Sequence, residues 1–384
     1  MSWSQRTVVG MIDGFGPDYW EKSSMPNLDE MAAQGIAAEV DGVYPAVTNA
    51  NNVSIACAAW PEVHGITGNS YFDPERGEED YMEDAGFVLS PTVFQLGQAA
   101  GVQSALLSAK RKTLNLLSPG TTLAITAEDP PAEYIARYGP PPEIYSAEIN
   151  HWLWRVAIDL LEERPDLGLI YVHTTDFPMH AWSPERAESK AHLTELDRLL
   201  GEARRAAPDA AFFLTADHGM NFKTRCWDLA RACANRGIPV RYALSAEKDR
   251  YVRHHRTFGG AAWVWLTSAA DATEVSEVIG GLKGVELVLP RAEAASRFRL
   301  KADRIGDLVV CGDRETVFGE LGEEYEALPE SFRSHGSLHE QRVPAIVWNA
   351  DLPSGDWPMT ANADLLAPVV ASWANGSALP GSQS

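Results

Sequence analysis

Several stretches of the chain carry Asp, His or Thr where an apolar run gives way to a polar one. They are Asp13, Thr48, Asp176 with His180, Asp217 with His218, and His335 before Gly336. Carboxylate oxygens and imidazole nitrogens together form the mixed donor set that suits zinc. The i, i+4 spacing of Asp176 and His180 puts both side chains on one face of a helical turn. Asp217 and His218 are adjacent, so they share one site only through a turn or bulge. A threonine at the start of a helix is an ordinary cap, but its hydroxyl is also a nucleophile once activated. Each feature alone has a plain explanation, because Asp before Gly often marks a turn and a loop His often bridges polar groups. Their recurrence at successive strand ends argues for one convergent site.

The elements that must position these groups alternate. Residues 7–12, 36–43, 102–107, 167–172, 210–214 and 343–348 read as buried strands. Residues 26–35, 53–59, 91–101, 144–163, 184–206 and 363–374 read as helices. This alternation predicts an α/β fold with a largely parallel central sheet flanked by helices. Thr48 lies between the strand at 36–43 and the helix at 53–59, where free N–H groups and the helix dipole receive an anion. Residues 60–73 read as an irregular loop, with His64 a structural hydrogen bonder and Asn69 either a turn residue or an amide donor to a substrate oxygen. Lys110, Arg111 and Lys112 follow the strand at 102–107. A solvated patch is the plain reading, but in so acidic a chain three cations at a strand end mark a candidate anion site. Residues 119–142, rich in Pro, Thr and Glu, read as a surface excursion. The elements shorten beyond residue 221. The expected organisation is a catalytic core of 1–221 and 329–375, a smaller α+β cap inserted at 222–328, and a flexible tail at 376–384.

The formal net charge is -21 over 384 residues. Such a balance argues against general nucleic-acid binding and against an anionic membrane surface. A small anionic substrate stays allowed, because metal ions and a few cations reverse a local field. Cys57, Cys226, Cys233 and Cys311 are scattered without a C-x-x-C pair, so no disulfide framework is expected. The N-terminus lacks the apolar region of a secretory signal and no run is long enough to span a membrane, which makes the cytoplasm the expected compartment.

The ordered set Asp13, Thr48, Asp176-x-x-x-His180, Asp217-His218 and His335-Gly336 resembles the two-zinc site of the alkaline phosphatase superfamily. Pro61-Glu-x-His-Gly-Ile-x-Gly-Asn69 is similar to the stretch after the nucleophile in its nucleotide pyrophosphatase/phosphodiesterase branch. Within that branch, the run from Thr48 to Asn52, the run from His64 to Asn69, and Lys110 with Lys112 look most like the phosphonoacetate hydrolases. The resemblance runs from about residue 8 to 348 and is weakest across the cap. It implies an alkaline phosphatase-like core holding two Zn2+ ions. One would be held by Asp176, His180 and His335, the other by Asp13, Asp217, His218 and the Thr48 oxygen. Thr48 would be the nucleophile, Asn69 would bind a phosphoryl oxygen, and Lys110 and Lys112 would hold the substrate carboxylate. A cap arginine, Arg253 or Arg256, would also touch substrate. His339 competes with His335 but does not precede Gly. The implied reaction splits the C–P bond of phosphonoacetate to acetate and phosphate through a phospho-threonine. The partner is then a small anionic phosphonate, with no nucleic acid, no membrane, and a homodimer allowed. A phosphodiesterase or nucleotide pyrophosphatase is the nearest alternative, with Tyr71, Phe72 and Trp182 as a nucleoside pocket. Sulfatase is disfavoured, because Cys57 lacks a following Pro-x-Arg. A zinc-stabilised binding protein without turnover is the alternative of another class. Thr48 speaks against it, since structural zinc sites close with Cys and His.

Overall fold

The computed structural model describes residues 3–251, 256–352 and 357–376. Strands β1 (Thr7–Met11), β2 (Ile36–Asp41), β3 (Gln103–Ser108), β4 (Leu123–Thr126), β5 (Leu167–His173), β6 (Ala211–Thr215) and β7 (Arg342–Trp348) form one sheet in the order β2-β7-β6-β1-β5-β3-β4. β1 pairs parallel with β5 and β6, and β3 pairs parallel with β4 and β5. β7 runs antiparallel between β2 and β6. The three central strands β1, β5 and β6 are buried almost throughout. Their Val, Ile, Leu and Phe runs are what strands covered on both faces require.

Helix α1 (Thr48–Cys57) is buried from end to end, whereas α2 (Glu148–Glu163), the short α3 (Phe177–Ala181) and α4 (Ala187–Ala206) each bury one side. α2 buries Trp152, Leu153, Val156 and Leu160, and α4 buries Leu193, Leu196 and Leu200, the spacing of a single apolar stripe. Burying one such side chain contributes about 1.5–3 kcal/mol. The strand ends that carry the polar cluster therefore project from a rigid layer.

Some elements differ from the sequence expectation. α1 begins at Thr48 rather than near residue 53, so the asparagines that follow lie inside the helix. Residues 119–142 contain the edge strand β4 and the helix Ala132–Tyr138. β4, only four residues long, is too short to leave a readable period. The loop expected at 60–73 contains a turn of helix, Pro61–His64, and the first strand of a hairpin, Ser70–Asp73 with Glu78–Tyr81.

The chain leaves the core at Asn221–Phe222 and returns at Arg333–Ser334, two short strands paired antiparallel. Between them Tyr242–Ser245, Ala261–Trp265, Leu308–Gly312 and Val285–Pro290 form an antiparallel sheet in that order. Alternate residues of Ala261–Trp265 feed two separate apolar clusters, one on each face. Tyr44, in the loop leading to α1, stacks on Phe298 of this region at 4.2 Å. Among the described residues no helix is long and apolar enough to cross a membrane.

Candidate active site

β5, β1 and β6 lie side by side, so Asp13, the segment 174–176 and Asp217 leave neighbouring strand ends. Thr174 Oγ1 accepts from the Asp13 backbone N–H at 2.9 Å. Asp217 Oδ1 accepts from the N–H groups of Gly14 and His218, both at 3.0 Å. Gly14 has φ +74°, and a Cβ there would stand 3.1 Å from the Met179 Cβ, so glycine lets the Asp13 turn press against α3. Asn150 of α2 clamps the approach to Asp176, donating to Thr175 O at 2.9 Å and accepting from Thr175 N at 2.8 Å. α3 then brings His180 Nε2 to 2.9 Å from Asp176 Oδ2.

The three histidines share one orientation. His180 Nδ1 meets Arg333 O at 2.9 Å, His218 Nδ1 meets Gly219 O at 2.9 Å, and His335 Nδ1 meets Ala46 O at 2.7 Å. A carbonyl only accepts, so each Nδ1 carries the proton and each Nε2 presents a lone pair. Both Asp13 carboxylate oxygens, Asp217 Oδ2, His218 Nε2 and His335 Nε2 are buried with no hydrogen-bond partner among the described residues. One ligand atom each from Asp13, Asp217 and His218 lie within 4.8 Å of one another, as do those of Asp176, His218 and His335. Buried polar atoms rarely stay unpaired. Lone pairs gathered in this way, on carboxylates and on neutral imidazoles, fit divalent cations.

The electrostatics point the same way. Burial, then repulsion from Asp176 and Asp217, pushes Asp13 up to about 7. Burial pushes Asp217 up to about 6. Burial also lowers His218, and burial with the neighbouring His218 and His180 holds His335 well below the usual imidazole range. Unprotonated imidazoles and carboxylates that resist ionising are relieved together by positive charge among them.

Thr48 is the first residue of α1, with Val47 at the cap position and no side-chain cap bond. The capping role open to it in the sequence is therefore not used. Ala46, two residues before, holds His335, and Asn49, one residue after, donates its N–H to Asn69 Oδ1 at 3.1 Å. That bond fixes the Asn69 amide with Nδ2 directed at Glu247 Oε2, 3.1 Å away. Asn51 pins the loop before Thr48, donating to the carbonyls of Val43, Pro45 and Val47. Asn52 accepts from Tyr171 OH at 2.6 Å. These two asparagines build the loop and helix. His64 is a structural hydrogen bonder, 2.7 Å from Ser54 Oγ, and burial pushes it down to about 3.

Lys110 and Lys112 flank the start of the helix Arg111–Leu117 and are buried, whereas Arg111 turns outward to Asp129. Lys110 Nζ lies 3.3 Å from Asp176 Oδ1, and Lys112 Nζ pairs with Asp249. Burial alone would lower Lys110, but the carboxylates of Asp176 and Asp13 outweigh it and hold its ammonium up. Arg256 is engaged elsewhere, forking onto Glu326 and lying 4.5 Å over the Phe258 ring. Arg253 lies outside the described residues. His339 pairs with Glu286 at 2.9 Å, away from the cluster that His335 joins. Phe72 stacks on Tyr242, Tyr71 packs on Phe87 and Trp182 on Phe177, three packing contacts rather than one aromatic pocket.

Three residues that sequence reasoning passed over belong to the site. His173 Nε2 approaches Asp13 Oδ2 at 3.4 Å, and its position at the end of β5 was the available signal. Glu247 lies 3.5 Å from His335 Nε2 and Asp249 pairs with Lys112, both reaching in from the segment after Tyr242–Ser245. Two acids in a charged cap segment gave no sign of pointing inward.

The model of the type I phosphodiesterase / nucleotide pyrophosphatase family matches residues 7–338. Over 225 residues the chain is 26% identical to an uncharacterized pyrophosphatase/phosphodiesterase of Schizosaccharomyces pombe, covering 56% of this chain and 45% of that protein. It is 27% identical to a venom phosphodiesterase of Naja atra over 56% of this chain and 26% of that enzyme. The matched region thus spans less than half the length of these curated relatives. Solved structures of phosphonoacetate hydrolase from Sinorhizobium meliloti, in complex with phosphonoformate and with phosphonoacetate, superpose with a TM-score of 0.85 at 31% identity, covering 97% of this chain and 96% of theirs. Murine ectonucleotide pyrophosphatase/phosphodiesterase 5 shares the fold, with a TM-score of 0.71 at 17% identity over 99% of this chain and 98% of that one. With the family model running from β1 through the His335 loop, the chain belongs to the type I phosphodiesterase / nucleotide pyrophosphatase family.

Proposed function

We propose that this protein is a two-zinc hydrolase that cleaves phosphonoacetate to acetate and phosphate, with Thr48 as nucleophile. The observation that carries the reading is a pair of buried ammonium groups, Lys110 and Lys112, joined to the Asp/His cluster through the Lys110–Asp176 contact. Two cations at one end of a phosphoryl site suit a substrate with a second, carboxylate end. One zinc would be held by Asp176, His180 and His335, the other by Asp13, Asp217, His218 and Thr48. When bound, such ions lower the pKa of a hydroxyl and offset phosphoryl charge.

The residues of the chain do the rest. Thr48 gives its hydroxyl proton to solvent, and Oγ1 attacks phosphorus from the first turn of α1, where the positive end of the helix dipole favours the developing charge. Asn69 Nδ2, fixed by its bond from Asn49, donates to a phosphoryl oxygen. As the oxygen–phosphorus bond forms, the carbon–phosphorus bond breaks and its electron pair moves onto carbon and into the adjacent carboxylate. Lys110 and Lys112 stabilise that enolate-like charge where it grows, and the carbon takes a proton from water. A second water displaces phosphate from Thr48 and restores the hydroxyl.

A phosphate-release panel on the zinc-loaded protein tests the reading. It contains phosphonoacetate, methylphosphonate, a nitrophenyl phosphate monoester and a nitrophenyl diester. Phosphonoacetate should be the preferred substrate. Turnover of the diester without phosphonoacetate would replace the reading with a phosphodiesterase.

A further inference from the structure

The residues assigned to the substrate are covered. Thr48 is 3% exposed, Asn69 1% and Lys112 1%. The segment 246–251 of the cap lies against Asn69 and Lys112, and its side chains alternate. Lys248 and Arg250 turn outward to Glu79, Glu320 and Glu83. Glu247 and Asp249 turn inward and are buried. Glu247 occupies the place beside the Asn69 amide, at 3.1 Å, and His335, at 3.5 Å. Asp249 occupies the place beside Lys112, and the Tyr251 ring lies 5.6 and 5.7 Å from the ammonium groups of Lys110 and Lys112. Two carboxyl groups thus sit where a phosphoryl group and a carboxylate would sit.

We propose that Asp249, with Glu247 beside it, is a specificity-determining residue that acts as an internal competitor. Its carboxylate occupies Lys112 in the free protein, and a ligand must bring a carboxylate of its own to displace it. The inference rests on the reading above that Lys110 and Lys112 receive a substrate carboxylate. A ligand with a phosphoryl group alone leaves Asp249 in place. A ligand with both groups exchanges with both side chains and frees the segment. The Tyr251 N–H, 3.2 Å from Asp249 Oδ1, then loses its partner.

The test uses the full, metal-loaded chain with phosphonoformate and methylphosphonate as probes. Asp249→Asn should tighten phosphonoformate about tenfold, the scale of one charged hydrogen-bond competitor removed. Methylphosphonate affinity should stay within about twofold. In the unaltered protein, hydrogen exchange of residues 246–251 should quicken with phosphonoformate and not with methylphosphonate. The exchange measurement stands even if Asp249→Asn fails to fold. Weaker phosphonoformate binding by Asp249→Asn would make Asp249 a fixed support for Lys112 and overturn the proposal. Exchange that is slowed or unchanged by phosphonoformate would overturn it as well. If the unaltered protein does not hydrolyse phosphonoacetate, the functional reading falls by itself. The competitor role then stands if Asp249→Asn gains affinity for phosphonoformate over methylphosphonate, and falls if it does not.

Discussion

Asp13→Asn should make the metal-free protein more stable, and increasingly so as pH rises. Asp13 is fully buried, faces Asp176 and Asp217, and is pushed up to about 7. An unfolded Asp titrates near ~3.9, so folding with an ionised Asp13 costs roughly 4 kcal/mol once pH exceeds both values. The sign follows from the direction of the shift. A raised carboxyl contributes stability that is complete below the unfolded value and is lost as pH rises through about 7. Asparagine has nearly the same shape and no proton to lose. Its advantage over Asp in chelator should therefore grow by about 3 kcal/mol between pH 5 and pH 8. At ~2.1 cal/mol/K per residue over this chain, that is about 3–4 °C in the thermal midpoint. The Asp13 charge raises His173 and His218 against their burial, so its removal lowers both further, and the difference between the two proteins includes that coupling. With metal present the order should reverse, because the variant loses a ligand and the stabilisation that binding gives. The assay is paired thermal unfolding of both proteins, with chelator and with zinc, at the two pH values. An advantage that is absent, or equal at pH 5 and pH 8, would show that Asp13 is not held as a penalised anion and would remove the electrostatic argument for a cation there.

Apparent zinc affinity, measured by competition with a chromophoric chelator, should fall as pH drops below about 7, because Asp13 takes up a proton that zinc must expel. Thr48→Ala should lower phosphate release by about three orders of magnitude or more, the scale of losing a nucleophile, while Thr48→Ser retains turnover. Lys112→Ala should slow phosphonoacetate hydrolysis by about 10²-fold, some 3 kcal/mol in the barrier, and spare an aryl phosphate whose leaving group needs no such help. Equal loss on both substrates would remove the carboxylate role. Lys223→Met should cost about 3–5 kcal/mol in denaturant unfolding, because it strands the buried Glu340, now 2.8 Å from Lys223 Nζ.

The core strands were legible because buried parallel strands are continuous apolar runs, and the chemistry sits where those runs stop. β1, β5 and β6 end just before Asp13, Asp176 and Asp217, so reading the strands located the acids. What the sequence hid is orientation. The asparagines after Thr48 read as part of a family-like run with no role for each, and Asn51 is spent on three backbone carbonyls of its own loop. Asx side chains serve backbone and ligand with the same atoms, and only the fold decides which. Arg256 stood out as a cap cation, but Glu326 claims it. Glu247 and Asp249 carry no motif that sets them apart from the other acids of the chain. A turn after Tyr242–Ser245, closed by the Lys248 N–H on Ser245 O, sends them inward and Lys248 and Arg250 outward, and no sequence pattern reveals that face.

The histidines show how loops far apart in sequence hold one geometry. The carbonyls that fix them belong to Ala46, Gly219 and Arg333, on three separate segments of the chain. Arg333 is itself held by the Met179 and Met220 carbonyls and the Tyr19 hydroxyl, which ties the His180 helix to the segment after His218. Gly336, at φ +103°, follows His335 and leaves room for Gly260, whose N–H donates to His335 O at 2.8 Å. A side chain at Gly260 would meet Ser337 Cβ at 2.5 Å. The region between Phe222 and Arg333 is therefore seated against the same loop that carries His335, and that loop reaches toward Thr48 through Ala46. Moving residues 247–251 need not disturb this seat, because Glu247 and Asp249 reach inward through side-chain bonds, while Ala246 stays tied to the Asn69 N–H at 3.0 Å and the seat is backbone. An opening that exchanges Asp249 for a substrate carboxylate can thus leave the metal-ligand geometry intact.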